Sequence, residues 1–182
     1  MAEIKSSIEL AMERTKGLTF TEEERRKFEE ERERRVAQAL ILQYLKGEMV
    51  LRELERKRRE ATPTARKALD MVLVESLEMD AEALPKVQEA IESWLGKTNR
   101  HLVQKMKDLT VQWGQAVQKR KKRIKAQLRE ELERRGIRGS AVEPNVEASQ
   151  AWEKALRELQ EEFSDKVSSL REQLLGALAQ VD

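Results

Sequence analysis

Over the second half of the chain, apolar residues return in a fixed rhythm. Ala148, Trp152, Leu156, Leu159, Phe163, Val167, Leu170, Leu174 and Leu178 are spaced 4, 4, 3, 4, 4, 3, 4 and 4 apart. One face of the preceding stretch repeats that spacing through Leu102, Met106, Thr110, Trp113, Val117, Lys121, Ile124, Leu128 and Leu132. Eleven residues in three turns is close to the natural period of an α-helix, so the spacing predicts two nearly straight helices with at most a slight right-handed supercoil. If they run antiparallel, residue i lies opposite residue 280 − i. Trp113 then faces Val167, Val117 faces Phe163, Ile124 faces Leu156 and Leu128 faces Trp152. The centre of that fold-back is residue 140. It lies within GIRGSAVEPN, 136–145, which its Gly and Pro residues mark independently as a loop. The pattern therefore predicts an antiparallel hairpin over 97–182, with a first arm roughly 50 Å long at about 1.5 Å per residue.

The first half of the chain predicts a helical base over 1–96. A helix over 3–16 is expected from Ile4, Ile8 and Met12, ending near Gly17. A second is expected over 21–60. It starts at Thr21, which with Glu24 fits a capping box. Its early turns hold one apolar residue, Phe28, among alternating acids and bases. Glu22–Arg26, Glu23–Lys27, Glu30–Arg34 and Glu31–Arg35 stand in the favourable order four residues apart. From Val36 to Leu54 the same helix turns strongly apolar and is expected to be buried. Thr62 and Pro63 suit the cap and first position of a helix over 63–79. Val87, Ile91, Trp94 and Leu95 give a further helix over 85–95, after which Lys97 to Arg100 forms a kink or a brief loop. No segment shows strand alternation. The fold class expected is all-α, an elongated helical bundle with a coiled-coil-like C-terminal hairpin and no β-sheet.

Composition agrees with that class. Charged residues make up 38% and aromatic ones 4%, with Glu, Lys, Arg, Leu and Ala dominant, as in long helices. The absence of cysteine excludes disulfides and thiolate metal sites. The longest strongly apolar stretch, Val36 to Leu45, is too short to span a bilayer, and MAEIKSSIEL lacks the pattern of a signal peptide. A soluble cytoplasmic protein is expected.

The net charge of +2 hides an uneven distribution. Residues 97–129 hold 11 basic side chains and one acidic, Asp108, while 130–182 hold 7 basic and 12 acidic. Lys119, Arg120, Lys121, Lys122, Arg123, Lys125 and Arg129 form the densest basic block and are the candidate anion-binding residues. The competing expectation is internal. The antiparallel register lays this block beside Glu153, Glu158, Glu161 and Glu162, and opposite charges flanking a helical seam fix register. The seven basic residues wrap too far around the helix for one neighbour to cover them all.

Other chemistry is sparse. Ile137 and Arg138, between Gly136 and Gly139, could present a small contact at the loop tip or simply cover the helix end. Trp94, Trp113 and Trp152 lie on apolar stripes, where packing outweighs ligand stacking. His101 is the single histidine and has no metal-binding partner spacing. There is no P-loop, GxGxxG or GxSxG. No metal, cofactor, catalytic residue or small-molecule substrate is expected. The function expected is that of a non-catalytic interaction protein (an adaptor, tether or assembly factor) that associates with a protein partner or with itself as a homo-oligomer. Its hairpin packing would rest on Leu102, Met106, Trp113, Val117, Ile124, Leu128, Trp152, Leu156, Phe163, Val167, Leu170, Leu174 and Leu178. The alternative is a polyanion-binding protein that grips nucleic acid or the ribosome through 97–129. A weaker alternative is an export or assembly chaperone that offers the Val36–Leu54 surface to a client.

Overall fold

The computed structural model describes residues 21–79, 81–96, 99–137 and 143–181. The helix expected over 3–16 and the loop-tip residue Arg138 lie outside the described residues. Among those described the protein is all-α, with six helices and no strand. They are α1 (Glu22–Lys46), α2 (Leu51–Glu60), α3 (Pro63–Glu75), α4 (Leu84–Leu95), α5 (Arg100–Arg134) and α6 (Gln150–Leu178). The chain divides into two compact units at Leu69, a point inside α3. The sequence pattern put the boundary at 96/97 instead. α4 packs on both α5 and α6, which places it with the two long helices rather than with the first unit.

In the first unit, the Thr21 capping box is formed. The Thr21 hydroxyl accepts from the Glu24 N–H at 3.2 Å, and the Glu24 carboxylate accepts from the Thr21 N–H at 2.8 Å. This helix start satisfies two otherwise orphaned donors. Its carboxyl is held below the usual range, chiefly by that backbone donor. Glu31 and Arg35 pair as expected, while Arg26 reaches forward to Glu30 at 3.8 Å.

The continuous helix expected over 21–60 is broken. Gly47 takes φ 81°, its N–H bonds to the Tyr44 carbonyl, and the Glu48 N–H bonds to the Gln43 carbonyl. This left-handed cap closes α1 and suits glycine, which has no Cβ to strain there. α2 then packs back on α1. Ala37, Ile41, Tyr44, Met49 and Leu54 are buried, and Val36, Leu42 and Val50 are exposed.

In the second unit α3 ends at Glu75, four residues short of expectation. Arg171 of α6 supplies the reason. Its Nη2 donates to the carbonyls of Glu75 and Leu77 at 3.0 and 2.9 Å, satisfying acceptors that a longer helix would have used itself. Gly96, at φ 62°, lies between α4 and α5. Buried apolar side chains come from every element of the unit, among them Leu73, Leu77, Val87, Ile91, Leu95, Met106, Leu170, Leu174 and Leu178. Each full burial of this kind stabilises by about 1.5–3 kcal/mol.

α5 and α6 run antiparallel. Lys105 meets Gln173, the Trp113 ring meets Phe163, and Arg120 meets Glu158, displaced by two, four and two residues from the register read from the sequence. α6 starts at Gln150, capped by the Ser149 hydroxyl accepting from the Trp152 N–H at 3.2 Å. The sequence suggested a start near Pro144 or Glu147. Those residues instead form a turned segment in which Val146 is buried.

Candidate functional site

The apolar seam between α5 and α6 positions the basic block. On α5, Leu102, Met106, Trp113 and Ile124 are buried, while Val117 and Leu128 are half-buried. On α6, Leu159, Phe163, Leu170, Leu174 and Leu178 are buried, and Trp152, Leu156 and Val167 are half-buried. Trp113 and Phe163 meet edge to face, with ring centroids 5.2 Å apart and planes at 87°. Such a pair adds about 0.5–1.5 kcal/mol beyond its buried area. The Lys166 ammonium stands 4.8 Å above the same Phe163 ring.

Toward the loop, the expected pairing of Ile124 with Leu156 gives way to a small cluster. Ile124, Val146 and Ala155 are buried together, with Leu128 and Trp152 packed against them. Val146 takes the place that a longer α6 would have filled. The sequence signal was available: a lone apolar residue follows Asn145, whose Oδ1 accepts from the Ala148 N–H at 3.4 Å.

Charges line both flanks of this seam. On one side Arg120, with its side chain 29% exposed, donates to Glu158 at 2.8 Å and to Glu162 at 3.3 Å. On the other, Lys121 pairs with Glu147, Lys125 with Glu143 at 3.0 Å, and Arg129 approaches Glu143 at 3.8 Å. The Lys125 ammonium holds the Glu143 carboxyl below the usual carboxylate range, and Lys121 does the same for Glu147. Four of the seven candidate anion-binding residues therefore reach carboxylates of the same chain. Glu158 and Glu162 are partners the register named. Glu143 and Glu147 are not, because they belong to the end of the loop and the turned segment that precedes α6. Glu153 and Glu161 stay exposed.

Lys119, Lys122 and Arg123 are exposed, and none of the described ion pairs includes them. They are what remains of the basic block for an outside anion. At the loop tip the Ile137 N–H bonds to the Leu132 carbonyl and the Gly136 N–H to the Glu133 carbonyl, with Gly136 at φ 78°. Ile137 thus completes the end of α5 and stays 46% exposed.

Two open clefts border the seam. The larger, about 660 Å³, is lined by His101, Gln104, Lys105, Asp108, Leu109, Gln112, Asp165, Lys166 and Ser169. The smaller, about 330 Å³, lies over the Trp113–Phe163 pair and is edged by Leu77, Met79, Val167 and Arg171. Among the described residues no three His, Asp or Glu side chains gather as a metal ion requires. No described helix is long and apolar enough to cross a membrane. In comparisons with known proteins the chain matches no family model, and no curated protein or solved structure matches it.

The first unit presents a different kind of surface. Every position from Thr21 to Arg32 is exposed. Phe28 is 57% exposed and sits above a shallow hollow edged by Arg25, Glu29 and Arg32. Much of the Val36–Leu54 stretch, by contrast, is occupied. Ala37, Ile41, Tyr44, Met49 and Leu54 are buried, Leu40, Leu45 and Leu51 are half-buried, and Val36, Leu42 and Val50 are exposed.

Proposed function

We propose that this chain is a non-catalytic interaction protein of the cytoplasm, an adaptor, tether or assembly factor that displays the amino-terminal half of α1 to a protein partner. The observation that carries the reading is the exposure of α1 on all sides from Glu22 to Arg32, in a helix whose start is fixed by a complete capping box. A helix polar around its whole circumference gains little from its own chain. Its ion pairs contribute only a few tenths of a kcal/mol each. Such an element suits recognition better than internal support. The neutralisation of Arg120, Lys121, Lys125 and Arg129 by the chain's own carboxylates weighs against a basic arm built for polyanions.

Photo-crosslinking from single positions in the full-length protein tests this reading. A photoreactive residue in place of Arg25 or Glu29 should yield discrete protein adducts in the native source, and one in place of Glu161 on α6 should not. Equal yields at all three positions would remove the reading.

A polyanion-binding role draws its support from the exposed trio Lys119, Lys122 and Arg123. Reversing the trio to glutamate separates the two. Loss of a nucleic-acid complex in that variant, with no discrete α1 adducts in the wild type, would favour the polyanion role.

A further inference from the structure

Along 22–35 of α1, exposed at every position but Glu33, charge runs in bands. Glu22, Glu23 and Glu24 form an acidic band, and Arg25, Arg26 and Lys27 a basic one. Phe28 follows, then Glu29, Glu30 and Glu31 form a second acidic band, and Arg32 to Arg35 a mainly basic one. Three consecutive residues cover most of a helical turn, so each band shows one sign to nearly every side. The order reverses about Phe28. In a second copy laid antiparallel with the two Phe28 residues level, 25–27 lie opposite the partner's 29–31, and 22–24 lie opposite its 32–34. Each band then meets one of opposite net sign. The parallel arrangement in the same register sets like against like.

We infer that α1 is a self-association surface, whose occupant is a second copy of this chain paired antiparallel about a two-fold axis at Phe28. The inference rests on the interaction-protein reading above and names its partner. Three facts support this occupant over another protein. The complementarity is internal to one short stretch. A two-fold arrangement closes after two copies, so the surface does not propagate into filaments. The register also brings together Thr21, Glu24, Phe28, Arg32 and Arg35, which recur 3, 4, 4 and 3 residues apart and so share one side of the helix, symmetrically about Phe28. The paired segment is short, about 21 Å from Thr21 to Arg35 at 1.5 Å per residue, and its ion pairs are solvated. The association is accordingly weak and salt-sensitive.

Charge-band exchange in the full-length protein tests it. In one variant Arg25, Arg26 and Lys27 become Glu; in the other Glu29, Glu30 and Glu31 become Lys. Sedimentation equilibrium should show each variant alone dimerising at least about tenfold more weakly than the wild type, and the equimolar mixture recovering the dimer as a heterodimer. Orientation is read separately on the otherwise wild-type chain, which has no cysteine to interfere. With a spin label on Arg35→Cys, an antiparallel pair sets the labels about 20–25 Å apart and a parallel pair about 10 Å. A wild type that stays monomeric to about 0.5 mM overturns the inference, and so does a mixture that fails to recover the dimer or a label distance near 10 Å. Discrete α1 adducts to a different protein, with no self-association, would sink the self-pairing alone and leave the interaction-protein reading standing.

Discussion

Two helices of this chain are rich in charge, and they use it differently. α5 carries a block of lysines and arginines, and four of these reach carboxylates 14 to 42 positions further along the sequence. Its apolar stripe is held against α6, so the charges act as flanks to a packed seam. α1 has a comparable density of charge over 22–35, yet its described ion pairs, such as Arg26–Glu30 and Glu31–Arg35, close within the helix itself. A run of charge does not announce a ligand. Its meaning depends on whether the opposite sign waits elsewhere in the same fold.

The sharpest way to break that contrast is to truncate one aromatic ring on each helix. Trp113→Ala or Phe163→Ala opens the α5–α6 seam, and each should lower stability by about 3–5 kcal/mol in urea denaturation, because both rings are buried. Phe28→Ala should change it by no more than about 0.5 kcal/mol, because that ring is largely exposed. Equal losses at the two sites would erase the distinction between a packed helix and a displayed one.

Smaller effects sharpen the contrast. Gly47→Ala forces a Cβ into a left-handed cap and should cost about 1 kcal/mol, read as a shift in the urea midpoint. Thr21→Ala removes the cap of α1 and should cost its first turns about 1 kcal/mol of local helix stability. Hydrogen exchange should rise at the start of α1 and stay unchanged in α5. At the partly exposed Arg120, substitution by Ala should cost under about 1 kcal/mol despite its two carboxylate partners.

The smallest effect concerns pH. Glu143 and Glu147 are held below the usual carboxylate range by Lys125 and Lys121, so the unfolded chain takes up their protons more readily than the folded one. Their contribution is present above the ordinary carboxylate pKa and is lost as pH falls through the lowered folded values. NMR titration should show both carboxyl groups below an ordinary glutamate, and Lys121→Ala or Lys125→Ala should return its partner toward the ordinary value.

Much of this arrangement was legible in the residue pattern, for reasons that differ by element. The Thr21 capping box needs only two residues three apart, so local sequence reveals it. The antiparallel pairing of α5 and α6 was readable because the stripes repeat over many turns, though the contacts fall two to four residues from the register the stripes suggested. The break at Gly47 was hidden because apolar residues continue on either side of it, and one glycine inside an apolar run is compatible with either a tolerated helical residue or a cap. The later start of α6 was hidden because Val146 belongs to the apolar cluster without being helical. Nothing in the local sequence distinguishes Arg171 from the other charges of α6. Its role depends on where the carbonyls of Glu75 and Leu77 come to rest, nearly a hundred residues earlier.

The internal neutralisation of α5 is most directly tested by the salt dependence of duplex DNA binding, measured by fluorescence anisotropy. Within the block only Lys119, Lys122 and Arg123 are available, so replacing the three by Gln should make the log–log slope shallower by up to about 2.7. Replacing Arg120, Lys121, Lys125 and Arg129 together by Gln should leave the slope unchanged, and a slope that becomes shallower by about 3.6 in that variant would contradict the account.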